Sequence, residues 1–324
     1  MGKIAIRCIA LSLTLCLSAC QEGTPAAGAD AASAAQAPAV AADPAFAQAQ
    51  QAWRDQRRES LLKPDGWTSL IGLHWIEPGP HYFGSAADNG IRLAMGPAHF
   101  GMIDLRSGGK IRFAPERDVA LTLDDQPLKG ATTLISDADG GENGPSRLGF
   151  DEGKGLATVI KRGDRYALRV KHADAPTRTG FAGLQYWPAD PSWRIEGKFV
   201  PHPPGKTIDI ADIIGTLSPV PNPGAIEFQR DGKTYRLEAL DEGESELFVV
   251  FADRTNGHDS YGAGRFLYAP KPDAQNRVVL DFNRSYNPPC AFTPFATCPL
   301  PPPENRLDLA VLSGEKAYAK PAHP

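Results

Sequence analysis

The side chains best able to do chemistry are concentrated between Asp253 and Arg306. This stretch holds Asp253-Arg254-Thr255-Asn256-Gly257, Tyr261-Gly262-Ala263-Gly264-Arg265-Phe266, the run from Asp281 to Cys290, and Pro301-Pro302-Pro303-Glu304-Asn305-Arg306. Prolines fix the backbone at low entropic cost, while Asn, Tyr and Arg add donors and acceptors to that frame. The combination suits a preorganised polar pocket, with Arg265, Asn283, Tyr286, Asn287, Glu304, Asn305 and Arg306 as candidate ligand-binding residues. Arginines in such a pocket grip anionic groups in bidentate fashion. Asn and Glu read hydroxyls, and Tyr286 stacks on an apolar face. The competing explanation is structural. A long proline-rich connection has no sheet ladder and needs Asn and Arg side chains to satisfy its own backbone. A third use is hydrolysis by paired acids such as Asp253, Asp281 or Glu304, which requires carboxylates in unlike environments a set distance apart.

Other chemical signatures are absent or incomplete. Gly205-Lys206-Thr207 looks like the end of a phosphate-binding loop, but Val200 stands where the required glycine belongs. No Gly-x-Ser-x-Gly elbow occurs, and His258-Asp259-Ser260 is contiguous, so neighbouring side chains in an extended chain point to opposite faces. The zinc pattern His-Glu-x-x-His is missing and the histidines are scattered singly, His74 and His172 among them. No cofactor and no metal site is implied. Cys290 and Cys298 are separated by seven intervening residues, and in an oxidising compartment a disulfide is the economical reading. Half of a metal site, or two free thiols, are the alternatives.

The beginning of the chain gives an address. Lys3 and Arg7 precede a short apolar stretch, Ile9 to Leu17, which is too short to span a bilayer as a mature helix. Leu17-Ser18-Ala19-Cys20 resembles the bacterial lipobox, which implies cleavage before Cys20 and lipidation of its thiol; an ordinary secretory signal cut elsewhere is the alternative. Residues 1–19 are then a lipoprotein signal peptide, and Gln21 after the cysteine favours the outer membrane, facing the periplasm. Residues 20–45 are rich in Ala, Gly, Pro and Ser and cannot bury a core, so they read as a tether. Some 25 such residues span roughly 25 to 30 Å.

The body must be built from short strands. With 30 prolines in 324 residues, long helices are disfavoured. Asp43-Pro44 marks one helix start, and Phe46, Trp53 and Leu61 keep roughly to one face before Asp65-Gly66. Strand-like runs follow at Ala120 to Leu123, Ala157 to Lys161, Tyr166 to Val170, Arg194 to Phe199, Ile226 to Gln229, Leu247 to Phe251 and Val278 to Phe282. The four-residue links Arg162-Gly163-Asp164-Arg165 and Arg230-Asp231-Gly232-Lys233 read as hairpins. Helices long enough for parallel crossovers are missing. The fold is therefore mainly β: an antiparallel β-sandwich or open barrel, as one body or two β units, with one N-terminal helix. The Gly- and acid-rich segment from Ile135 to Gly155 divides a 46–135 helix-and-β unit from a 156–320 C-terminal β unit. A net charge of −4 without a basic cluster argues against nucleic acid as a partner.

Several motifs together resemble the uncharacterised bacterial family known as domain of unknown function 1684. They are Asp65-Gly66-Trp67 to Gly72-Leu73-His74-Trp75, Arg162-Gly163-Asp164-Arg165, Phe181-x-Gly183-Leu184, Tyr261 to Phe266, Asp281 to Cys290 and Cys298 to Asn305. The resemblance runs from about Trp53 to Lys316 and implies no activity. Within it, Gly79, Gly84, Ser85, Asn89, Ile91 and Leu93 are spaced as at the opening of forkhead-associated domains, which are β-sandwiches that bind phosphothreonine. Ser85 replaces the arginine that would hold the phosphate. The expectation is a lipid-anchored envelope protein that binds a small polar or carbohydrate-like ligand or an envelope protein. A hydrolase and a structural lipoprotein without ligand are the rivals.

Overall fold

A computed structural model describes residues 43–319. The expected signal peptide, Cys20 and nearly all of the expected tether lie outside the described residues. The first element is the helix Pro44–Leu61, capped by Asp43, whose side chain accepts a hydrogen bond from the amide of Ala45 at 3.0 Å. Proline at the first helical position costs nothing, because its missing N–H is one of the unpaired four. Gln50 and Leu61 are its buried residues.

The next 100 or so residues form a two-sheet sandwich. One sheet has six strands, in the order Leu70–Ile76, Arg165–His172, Gly155–Arg162, Leu148–Phe150, Thr122–Leu123 and Gln126–Pro127. The other has five, in the order Ile91–Arg92, Gly79–Gly84, Gly101–Leu105, Ile111–Pro115 and Thr132–Leu134. Between them lies a core of Phe83, Phe100, Phe113 and Phe150 with Ile103, Val159, Leu168 and Val170. Phe83 stacks on Phe100 at 5.0 Å, and Phe100 meets Phe150 edge-on at 4.7 Å.

This sandwich crosses the boundary expected between two units. The Ile135 to Gly155 segment is not a spacer, because it contributes Leu148–Phe150, which pairs with the strand beginning at Gly155. The hairpin Gly155–Arg162/Arg165–His172, assigned above to the C-terminal unit, pairs instead with Leu70–Ile76. The physical reason is the pairing distance along the chain: a hairpin is visible locally, but the strand that covers its second edge lies almost a hundred residues upstream. In the forkhead-like stretch, Ser85 donates to the carbonyl of Gly96 at 2.8 Å, and Asn89 donates to those of Ala86 and Ala98 at 2.9 and 2.8 Å. Both side chains are used to fasten their own loop.

The C-terminal half is a second β unit. Its four-stranded sheet runs Lys233–Ala239, Gly224–Arg230, Arg194–Pro201 and Arg277–Asp281, all antiparallel. The pair Glu246–Phe251/Arg265–Pro270 faces it across a core of Phe199, Ile226, Val249, Phe251, Leu267 and Leu280. A separate ribbon, Thr207–Ala211/Leu217–Pro221, stands at one edge. Among the described residues no sheet closes into a barrel. Beyond the first helix, the other α-helix among the described residues is the single turn Pro176–Thr179.

Gly264, immediately before the strand Arg265–Pro270, shows why glycine is needed there. Its φ is +99°, and a Cβ would lie 2.7 Å from the carbonyl oxygen of Phe251.

Candidate functional site

The predicted ligand residues do not converge on one cavity. Arg265 is fully buried and ion-paired with Asp253, Nη2 to Oδ2 2.7 Å, both side chains being inaccessible. Its guanidinium also donates to the carbonyls of Val311, at 2.9 Å, and Ser313. Burial lowers its pKa against the opposing pull of Asp253. Asn305 accepts from the amide of Glu238 and donates to the carbonyls of Glu238 and Val250, both at 2.9 Å. It bridges the strands Lys233–Ala239 and Glu246–Phe251 as a stretch of backbone would. Asn283 accepts from the amide of Asp190 and donates to its carbonyl, each at 2.9 Å. Asn287 donates to the carbonyl of Lys316 at 2.7 Å. These four side chains hold loops together, the use named above as the structural competitor. Glu304 and Arg306 are exposed beside the turn at Pro303–Asn305.

The acids considered for hydrolysis have separate commitments. Asp253 belongs to Arg265. Asp281 caps its own turn and accepts from Gln50 of the first helix at 2.8 Å. Among the described residues, no group of three or more His, Cys, Asp or Glu is arranged to hold a metal ion.

Tyr286 is different: it opens on a cavity of about 360 Å³ whose walls include Arg57, Trp67, Arg162, Arg169, Glu242, Phe248, Tyr268 and Thr297. Five of these groups, Arg57, Arg162, Arg169, Tyr268 and Thr297, come from four elements. The first helix supplies Arg57, which donates to Glu315 at 2.9 Å and to the carbonyl of Asn287 at 2.8 Å. Glu315 is itself completely buried and also accepts from the amide of Asn287, at 2.8 Å. Arg57 then lies over the Tyr286 ring, 4.5 Å from its centroid.

The sandwich hairpin supplies Arg162 and Arg169. Because Arg162 pairs with Arg165, and Arg165 and Arg169 are four residues apart on one strand, all three share the face turned away from the sandwich core. Arg162 is ion-paired with Asp137 at 2.8 Å and donates to Thr297 Oγ1 at 3.0 Å. Arg169 reaches the same hydroxyl at a long 3.5 Å, and its Nε is buried without a partner. Burial, reinforced by the neighbouring Arg162 charge, pushes its pKa down to about 10. The Trp67 ring lies 5.5 Å from its guanidinium.

The strand Arg265–Pro270 supplies Tyr268, whose hydroxyl donates to Glu242 Oε2 at 3.0 Å. Partial burial raises the Glu242 carboxyl above its ordinary range, although the residue sits at the exposed mouth. Burial, with Glu242 next to it, also pushes Tyr268 up to about 12. The last wall is the loop from Pro289 to Pro299. There Cys290 and Cys298 are joined, Cα atoms 6.2 Å apart, across the loop that presents Thr297.

Sequence reading found Tyr286 and the cysteine loop of this site. It missed Arg57, Arg169, Glu242 and Tyr268, and it took Arg162 only as part of a hairpin turn and of the family resemblance. A mainly antiparallel β protein with an arginine- and tyrosine-lined cavity between its two β units is thus the class that fold and site define. The family model described as protein of unknown function (DUF1684) matches residues 179–316. An uncharacterized protein of Haloarcula marismortui, known from a solution NMR structure, is 32% identical over 43% of this chain and 78% of its own, with a TM-score of 0.36. The chain belongs to the DUF1684 family. No curated protein matches it. The family match covers Glu242, Tyr268, Tyr286 and Thr297, whereas Arg57, Trp67, Arg162 and Arg169 lie before it.

Proposed function

We propose that this protein is a lipid-anchored binding protein of the bacterial envelope, held at Cys20 and facing the periplasm, whose cavity takes a small polar ligand. The observation that carries the reading is the state of the cavity wall. Most of its polar groups stand on four elements, and Arg169 is half-buried with a buried Nε that has no acceptor. Buried donors without acceptors are costly, so a fold that keeps one at a cavity surface has a use for it. A volume of about 360 Å³ lies at the small end for ligand sites.

The test is the native mass of the chain purified from the envelope without reductant. The wild-type protein should carry a small-molecule mass that Tyr268→Ala loses. A bare polypeptide-plus-lipid mass in the wild type would overturn the reading.

A second reading, hydrolysis, is favoured by one observation. Glu242, raised by burial and in contact with Tyr268, is the type of carboxyl that acts as a general acid. It predicts that Glu242→Gln retains the bound molecule and accumulates it unhydrolysed.

A further inference from the structure

We propose that the cavity recognises an oxyanion, a carboxylate or phosphate group on a small apolar body, through Arg169, Arg162 and the hydroxyl of Thr297. This rests on the reading of the cavity as a ligand site and names the chemistry it selects.

The argument is one of charge and of donors. Three guanidinium groups line the cavity. Arg57 has a buried carboxylate partner in Glu315, and Arg162 has Asp137. Arg169 forms no ion pair among the described residues, its Nε lacks an acceptor, and its one hydrogen bond is the 3.5 Å contact to Thr297. Its repulsion by Arg162 would ordinarily be relieved by an intervening anion or by turning one side chain to solvent. The hairpin register prevents the second, because both arginines stand on the face covered by the C-terminal unit.

Thr297 completes the geometry. Its Oγ1 accepts from Arg162 at 3.0 Å and from Arg169 at 3.5 Å, so both guanidinium heads converge on one point. The hydroxyl proton remains available as a donor there. An oxyanion placed beside that hydroxyl would receive charge-assisted hydrogen bonds from both arginines. Trp67 and Phe248 supply apolar wall beside it, which suits an acid carrying an apolar portion.

Sugars and other neutral ligands would satisfy the cavity's hydroxyl-reading groups and leave the Arg169 charge uncompensated. Depression of the Arg169 pKa by burial and by Arg162, against a smaller opposing pull from Asp137, agrees with a site that lacks its anion.

The test uses the full chain in detergent, with binding followed by calorimetry. Benzoate and inorganic phosphate are the probes, benzamide is the neutral shape match and glucose is the neutral polyol. The expected result is binding of benzoate or phosphate, whichever is tighter naming the acid class, weakened about tenfold or more by Arg169→Met. Benzamide should bind at least as weakly as benzoate does to that variant. Because Arg169→Met removes a half-buried charge without an ion-pair partner, its ligand-free melting temperature should equal or exceed that of the wild type, so loss of binding cannot be ascribed to unfolding. Thr297→Val, which keeps the shape, should weaken the same probe several-fold. Equal binding of benzamide and benzoate, binding of glucose alone, or an Arg169→Met protein that binds anions normally would overturn the anion assignment while leaving the cavity a ligand site. If neither anion binds, the assignment also falls. The native-mass experiment then decides separately whether the cavity holds anything.

Discussion

Replacing Arg265 tests whether the dense polar cluster in the C-terminal half holds the fold or a ligand. The substitution Arg265→Met keeps much of the side-chain volume and removes the charge. In the structure this strands Asp253, fully buried, without its 2.7 Å partner, and takes a donor from the carbonyls of Val311 and Ser313. Breaking a buried ion pair from one side costs about 3–5 kcal/mol. The orphaned carbonyls lose donors worth roughly 1–3 kcal/mol each, although these costs overlap and do not add. A loss of at least about 3 kcal/mol is therefore expected, a large part of the roughly 5–15 kcal/mol that stabilises a typical domain. Urea unfolding followed by tryptophan emission is the assay, since Trp187 lies 5.2 Å from the guanidinium. The double variant Arg265→Met with Asp253→Leu should recover part of the loss, because no charge is then buried alone. A single variant that unfolds within about 1 kcal/mol of the wild type, yet no longer carries a ligand, would refute the structural account and restore Arg265 as a binding residue.

Two further outcomes follow from the cavity. Glu242 has a raised carboxyl, so the native state binds its proton more tightly than the unfolded chain does, and its contribution to stability, present at low pH, is lost as pH rises above about 4.5 through the folded value. Relative to the wild type, Glu242→Gln should therefore gain stability between pH 4 and pH 7; a difference in melting temperature that does not change with pH would contradict this. Opening the Cys290–Cys298 bond removes a short cross-link, sequence separation 8, worth about 2–3 kcal/mol by chain entropy. Reductant should lower the melting temperature and weaken ligand retention together, because the loop carries Thr297; unchanged retention would show that the wall holds without the bond.

What could be read from the sequence was local. Asp43-Pro44 announces the helix because capping is a matter of adjacent residues, and the links at 162–165 and 230–233 form the hairpins their turn residues predict. The mainly antiparallel β class follows from the same evidence. The cavity was hidden for a reason of alternation. In Arg165–His172, Tyr166, Leu168 and Val170 point to the sandwich core, so Arg169 and Lys171 read as an ordinary solvated face. Only the packing of the C-terminal unit over that face turns Arg169 into a half-buried cation. The asparagines misled in the opposite direction. Asn283, Asn287 and Asn305 resemble ligand-reading groups because the side-chain amide is chemically the backbone amide, and here they replace missing ladder bonds.

The Arg57–Glu315 pair joins groups 258 positions apart in the sequence. During synthesis Arg57 emerges early and must wait for almost the whole body before its acid exists. Every side chain of the cavity wall lies at or before Pro299. A chain ending at Pro299 would hold every wall residue but lack the acid that pairs with Arg57, leaving Gln50 on Asp281 and Arg57 on the Asn287 carbonyl to seat the helix. Glu315 therefore acts on the cavity from outside its wall, by setting where Arg57 stands.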